Sequence, residues 1–295
     1  MNEHTEVFQR HRGAVFGVAY RMLGTASEAE DVVQETWLRW DRADRSTVDD
    51  PRAYLTRIAA RASLDQLRRA RARRETYVGP WLPEPLLTGP DVAEGVVDDA
   101  ATAESVSVAL LVVLETLSPL ERAVFVLREA FGMAYGEIAE TLGRSATAVR
   151  QLGHRAREHV RARQPRFDAD DDVRAAVTRR FLDATMTGDI AALLAMLAPD
   201  VEFVGDSGGQ VRAPKRIVRG YERVARLMVA ISPDIPAGTE VEYREVNGGP
   251  AAVFVLDGAP YAVAVLEVDP ETSLIARANF VGNPDKLTAL AASWR

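Results

Sequence analysis

Eight arginines and a single acid, Asp65, lie between Arg52 and Arg74, and a second basic run covers Arg144 to Arg166. Guanidinium groups at that density suit phosphate, because they displace condensed counterions and hydrogen-bond oxygen in a planar fork. From Glu75 to Glu121 the balance reverses, with nine acids and no lysine or arginine. Two cationic segments around an acidic one suggest two nucleic-acid contacts joined by a segment that DNA repels, a pattern hidden in the net charge of -7. A single arginine run is more commonly a solvated helix face, so the surrounding pattern has to decide.

Overlapping the second run, AYGEIAETLGRSATAVRQLGHRARE carries the most informative spacing in the chain. Ile138, Leu142, Val149 and Leu152 form the core of two short helices, Ala139 is small enough to let them cross closely, and Gly143 supplies a left-handed turn residue. Ser145 caps the second helix. Ala146, Thr147, Arg150, Gln151 and His154 are left exposed on its first turns, the part that enters a major groove. Arg144, Arg155 and Arg157 are placed for phosphates. The pattern is that of a helix-turn-helix, and the bland alternative is a plain helical hairpin.

Other chemistries have less to work with. The chain has no cysteine, which excludes disulfides and thiolate metal sites, and only His4, His11, His154 and His159 as imidazoles. Neither a metal nor a cofactor is expected. Asp206, Tyr221, Arg277 and Asn279 could line a cavity for proton transfer, yet no histidine follows Asp168, and Asp206 beside Ser-Gly-Gly suits a turn. No catalytic residue is expected.

Caps and periodicity give the elements that hold these groups. At 295 residues the chain is long enough for two or three domains. Phe8, Val15, Phe16, Ala19, Met22 and Leu23 recur at helical spacing up to Gly24. Ser27 and Glu30 predict a capping box that starts a second helix near Glu28. That helix turns Val32, Val33, Thr36, Trp37 and Trp40 inward and Asp31, Gln34, Glu35 and Leu38 outward. After the polar stretch DRADRSTVDD, Pro51 opens a third helix that buries Tyr54, Leu55, Ile58, Ala59 and Ala62 and carries the arginines on its other faces. Proline and glycine from Tyr77 to about Val97 predict a linker. Its Trp81, Leu82, Leu86 and Leu87 need something to pack on, either a neighbouring domain or a specific docking site. Ser118 and Glu121 then predict a capping box around Pro119, with Val124, Phe125 and Phe131 inward.

Beyond the DADDD run the pattern changes. VRAAVTRRFLDATMTGDIAALLAML reads as two amphipathic helices broken at Gly188, VEFVGD as a strand, and Arg216 to Met228 as a further helix. VEYREV, AAVFVL, YAVAVLEV and LIARANFVG follow as a β meander, giving an α+β domain. From Asp168 on it holds 19 acids against 13 bases, which makes it a poor third DNA contact. No stretch approaches the roughly 18 apolar residues of a membrane span, and the first residues lack a basic patch before an apolar core. A cytoplasmic protein without a membrane partner is expected.

The order of a helical block with SEAEDVVQETWLRW, an arginine-rich helix, a linker and a helix-turn-helix resembles extracytoplasmic-function sigma factors, over about residues 5–163. The rest resembles the SnoaL-like cone fold of polyketide cyclases and ketosteroid isomerases, and sigma factors with this appendage form a subgroup. Its WLPEP motif stands here at Trp81, Leu82, Pro83, Glu84 and Pro85, and its NPDKL motif at Asn283, Pro284, Asp285, Lys286 and Leu287. Its DGGGK-like stretch reads DSGGQ from Asp206 to Gln210. The resemblance implies a multidomain chain: sigma region 2 over 1–76, a linker over 77–102, a region 4 helix-turn-helix over 103–166 and a SnoaL-like α+β domain over 170–295.

The same resemblance implies the partners. Asp31, Gln34 and Glu35 would dock on core RNA polymerase at the β′ clamp helices, and the β subunit is expected as a further contact. The DRADRSTVDD loop and the next helix would open the -10 element of promoter DNA, with Arg57, Arg61 and Arg68 on the strand. Many members read IARNLAID in this helix where this chain reads IAARASLD, so Arg61 stands where asparagine is usual. Arg144, Ser145, Thr147, Arg150, Gln151, His154 and Arg155 would meet the -35 element, and each good bidentate pair from Arg150 or Gln151 discriminates by roughly 1–3 kcal/mol. The appended domain would contact the linker through Trp81, Leu82, Pro83, Glu84, Pro85, Asp206 and the NPDKL residues, and tune activity. A small-molecule ligand in its cavity stays open, as do two other readings: a ligand-sensing helix-turn-helix regulator and a SnoaL-like isomerase or cyclase.

Overall fold

The computed structural model describes residues 3–44, 48–74, 76–89, 107–163 and 169–294. The centre of the DRADRSTVDD loop, the far end of the expected linker and Arg166 lie outside the described residues. The chain divides into two compact units, one built from residues 1–76 and 93–164 and the other from 77–92 and 165–295.

In the first unit α1 (Glu3–Leu23), α2 (Ala26–Asp41) and α3 (Pro51–Arg74) pack pairwise. Phe8, Val15, Phe16, Ala19, Met22 and Leu23 are all buried, and Gly24 ends α1 at φ 78°. Trp37 meets Phe8 edge-on at 5.0 Å, and Trp40 donates its indole N–H to the His4 carbonyl at 3.0 Å. On α3, Leu55, Ala59 and Ala62 are buried as expected, whereas Tyr54 and Ile58 are half-buried.

The start of α2 differs from the expectation. The helix begins at Ala26 with Thr25 in the cap position, and the Thr25 hydroxyl donates to Glu28 at 2.9 Å. TASEAE contains two overlapping Thr/Ser-x-x-Glu frames. The frame with Ser27 is not used, because Glu30 is taken by Arg12, whose guanidinium reaches both carboxylate oxygens at 2.7 Å.

The same unit continues with α4 (Val108–Glu115), α5 (Pro119–Phe125) running into a π-turn at Val126–Ala130, α6 (Tyr135–Leu142) and α7 (Ala146–Arg163). Ser118 and Glu121 form the expected reciprocal box at the start of α5. Gly143 closes α6 at φ 62°, and the Arg144 N–H returns to the Ala139 carbonyl at 2.9 Å, the Schellman closure of a helix end. Close approach of α7 depends on Gly153, where a Cβ would stand 3.0 Å from the Tyr135 ring and 3.3 Å from Val124.

The second unit is a seven-stranded sheet with helices packed on it. Its helices are α8 (Asp171–Thr187), α9 (Ile190–Met196), α10 (Tyr221–Ile231) and α11 (Thr288–Ser293). Its strands are β1 (Leu87–Thr88), β2 (Leu197–Asp206), β3 (Val218–Arg219), β4 (Glu240–Val246), β5 (Gly249–Leu256), β6 (Ala259–Val268) and β7 (Ile275–Val281), ordered β1-β4-β5-β6-β7-β2-β3. β4 to β7 form the expected antiparallel meander, and β2 joins β7 in parallel. The helix after β3 starts at Tyr221 rather than near Arg216, since Gly220 holds φ 91°.

Alternation along the strands separates two buried faces. Phe203, Ala252, Phe254, Ala262, Ala264, Leu266 and Ala278 share one core with Phe181 and Leu182 of α8 and Val224 and Met228 of α10. Val253, Val255, Val263 and Val281, at the alternate positions, are also buried, and α11 packs against β6. This helix-on-sheet arrangement is the α+β architecture expected for the second part of the chain.

Candidate functional site

The candidate recognition surface begins where α6 ends. The Ser145 hydroxyl accepts the Ala148 N–H at 3.2 Å and its carbonyl the Val149 N–H at 3.0 Å, which fixes the first turn of α7. Ile138, Ala139 and Val149 are buried beneath it, with Leu142 and Leu152 half-buried. Arg144, Thr147, Arg150, Gln151 and His154 are exposed on one side, and Ala146 is half-buried. His154 lies 3.5 Å from Glu158, and Arg155 hydrogen-bonds Glu121 at 3.3 Å. Arg157 is held further back by the Tyr135 hydroxyl at 2.8 Å.

On the first helical block, Asp31 and Gln34 are exposed on α2, and Glu35 is half-buried and paired with Arg39 at 2.5 Å. Leu38 beside them is 53% exposed, an apolar side chain in the middle of a polar face. Arg57, Arg61 and Arg68 do not share one environment. Arg68 pairs with Asp65 at 3.2 Å, whereas Arg61 reaches the far side of its unit and donates to the Thr141 carbonyl at 2.7 Å and the Glu140 carbonyl at 3.1 Å.

The linker residues form a dense polar arrangement with the end of β2 and the NPDKL segment. The Asp206 carboxylate, fully buried at the end of β2, accepts four hydrogen bonds. They come from the Tyr77 hydroxyl at 2.5 Å, the Leu82 N–H at 2.7 Å, the Gly208 N–H at 3.2 Å and the Lys286 ammonium at 2.6 Å. Four is about the number of lone-pair positions a carboxylate offers. Lys286 also donates to the Leu82 carbonyl, and its ammonium sits 3.9 Å from the Trp81 ring centre and 5.1 Å from that of Tyr77. Burial, and then the Asp206 carboxylate, hold the Tyr77 hydroxyl well above the usual tyrosine range.

Around this pair the remaining motif residues close the arrangement. Asn283 donates to the Tyr77 oxygen at 2.8 Å, and Gln210 donates to Asp285 at 2.9 Å and Asn283 at 3.3 Å. Gly208 is required at φ 58°, because a Cβ there would fall 2.6 Å from the Asn283 amide nitrogen. Leu82, Pro83, Glu84, Pro85 and Leu287 are buried, Trp81 is half-buried, and Pro284 and Asp285 are exposed. The linker then enters the sheet, with Leu86 and Asn247 exchanging hydrogen bonds at 2.9 and 3.1 Å and β1 pairing with β4.

Sequence reasoning missed Tyr77 and Gln210 as members of this cluster and Glu267 as a buried acid. Glu267 accepts from Asn279 at 2.9 Å, and burial pushes its carboxyl above the usual glutamate range. Its position in YAVAVLEV, on the same alternation as Val263 and Val265, was the available signal. Of the residues considered for a proton-transfer cavity, Asn279 and Arg277 both act on Glu267, Arg277 also pairing with Glu202, whereas Asp206 is committed to the linker and Tyr221 is 40% exposed.

Two helical sets, the second a helix-turn-helix with an open cationic face, have the architecture of a DNA-binding protein. A Sigma-70 region 2 family model matches residues 7–73 and a Sigma-70 region 4 model residues 107–160. Over 292 residues the chain is 44% identical to the ECF RNA polymerase sigma factor SigJ of Mycobacterium tuberculosis H37Rv, covering 95% of this chain and 92% of that protein. It is 33% identical to the probable ECF RNA polymerase sigma factor SigI of M. tuberculosis CDC 1551, covering 99% and 98%. The crystal structure of M. tuberculosis SigJ superposes with a TM-score of 0.76 at 35% identity, covering 97% of this chain and 98% of that one. The chain belongs to the ECF RNA polymerase sigma factors. No helix among the described residues is long and apolar enough to cross a membrane.

Proposed function

We propose that this sigma factor carries its regulator in the same chain, and that the segment joining its two DNA-binding regions is the handle by which the second unit acts on them. Asp31, Gln34 and Glu35, with Leu38 among them, form the polymerase-docking face. Arg57 and Arg68 hold the opened -10 strand beside the DRADRSTVDD loop. Arg150 and Gln151 read base edges at -35, with Arg144, Ser145, Thr147, His154 and Arg155 along the backbone.

The observation that carries this reading is the Asp206–Lys286 pair closed around the backbone of Leu82. A linker that merely spans two domains has no need of a buried charge pair at its centre. The same observation argues against catalysis by Asp206, whose carboxylate already accepts four donors.

Transcription in vitro with core RNA polymerase tests it. The wild-type chain should give promoter-specific transcripts, and Trp81→Ala should change their amount with both sigma regions still folded. Unchanged output from Trp81→Ala would remove the linker from regulation, and absence of both transcript and polymerase binding would favour a ligand-sensing repressor or activator.

A further inference from the structure

The two helical sets of the first unit exchange arginines. The last four carbonyls of any α-helix lack partners within the helix, and the dipole makes that end attractive to a cation. α1 ends at Leu23, and the Arg21 carbonyl in its last turn accepts from the Nε of Arg122 on α5 at 2.9 Å. α6 ends at Leu142, and the Glu140 and Thr141 carbonyls in its last turn accept from Arg61 on α3. Each set thus sends one guanidinium to a helix end of the other.

The neighbourhood is built for this exchange. Arg122 is 1% exposed and also pairs with Glu115, and the Arg21 guanidinium lies 5.5 Å from the Phe131 ring centre. Burial lowers Arg21 to about 10, which leaves it charged at neutral pH. α3 packs against both α5 and α6.

Such packing cannot persist on a promoter. The -10 and -35 elements are named for positions about 25 base pairs apart, roughly 85 Å along B-DNA, whereas a compact body of ~150 residues is roughly 40 Å across. With α3 on one element and α7 on the other, Arg61 cannot remain on α6.

We propose that Arg61 and Arg122 form a reciprocal latch that holds the two DNA-binding sets closed on each other in the free protein, and that opening transfers Arg61 from the α6 carbonyls to promoter phosphate. The inference rests on the promoter-binding reading above for its second half only. Arg61 couples closure to DNA binding, because one guanidinium serves the two states in turn.

The chain has no cysteine, so two introduced thiols can be labelled without background. The experiment uses the full chain with Ser27→Cys and Arg161→Cys, both at exposed positions on α2 and α7, carrying a donor and an acceptor fluorophore. The free protein should show one high-transfer state. Arg61→Gln, at an exposed position that keeps the fold, should raise the low-transfer fraction roughly tenfold or more, in line with the loss of two charge-assisted hydrogen bonds. Arg122→Gln should do the same, with helix content by circular dichroism as the folding control. Core polymerase with promoter DNA should shift the wild type to low transfer. Unchanged transfer in Arg61→Gln overturns the latch, as does a high-transfer state that persists in a transcribing complex. Failure to transcribe would instead refute the promoter reading, while transfer in the free chain still judges the latch.

Discussion

The linker cluster of the second unit and the first turns of α7 are both rich in polar side chains, yet they use them in opposite ways. Around Asp206 each donor meets an acceptor of the same unit, and the Asp206 and Lys286 side chains are 0% and 7% exposed. On α7, Arg150, Gln151 and Thr147 face solvent. A charge taken out of water must be compensated inside the fold, so the first set reports what the protein holds together. A charge left in water is free to meet phosphate or a base edge, so the second reports what the protein meets.

Breaking the closed set should have the largest effect. Lys286→Met removes one partner of a buried pair and leaves the Asp206 carboxylate without its counter-charge, which costs about 3–5 kcal/mol. Amide hydrogen exchange should show it as lost protection at Leu82 and in β2, and protection at the wild-type level would mean that the pair is incidental. Arg150→Ala should leave stability within about 0.5 kcal/mol and weaken binding to the cognate promoter fragment by about 1–3 kcal/mol. Equal weakening on every sequence would make Arg150 a phosphate contact instead. Arg144→Ala should lower the slope of log affinity against log salt by about 0.9 without changing sequence preference.

The smallest expected effect tests burial itself. In the fold the Glu267 carboxyl is raised above its ordinary value of 4.5, so its protonated form is favoured there. The stability it contributes is fully present below 4.5 and is lost as pH rises through the raised value. Glu267→Gln should therefore raise the unfolding midpoint of the second unit slightly at pH 7, with the gap closing in acid. A midpoint lowered at pH 7 would show that the carboxylate is stabilised there.

What the sequence shows best is local. Ser118 with Glu121, Gly143, Ser145 and Gly188 mark helix ends because the group that satisfies an unpaired N–H or carbonyl lies within a few residues of it. Where a distant residue decides, local pattern fails. TASEAE offers two capping frames of equal quality, and Arg12, 18 residues before Glu30, selects between them. Arg61 and Arg122 look like any arginine on a helix, since the carbonyls they reach lie 79 to 101 residues away. The WLPEP and NPDKL segments could be named from resemblance, but not the hydroxyl of Tyr77 that bridges Asp206 and Asn283.

The linker is fastened twice, and the two fastenings would answer a pull differently. β1 is a two-residue edge strand, with the Thr88 hydroxyl on Glu245 at 2.9 Å and accepting from Gly248 at 3.0 Å. Tension drawn from the residue 89 side would peel it one hydrogen bond at a time, at low force. The Leu82 backbone, gripped on its N–H by Asp206 and on its carbonyl by Lys286, would instead have to shear both bonds together. A load on this segment would meet first a soft stage and then a hard stop, so the edge strand can act as slack that is spent before the charge pair feels any strain.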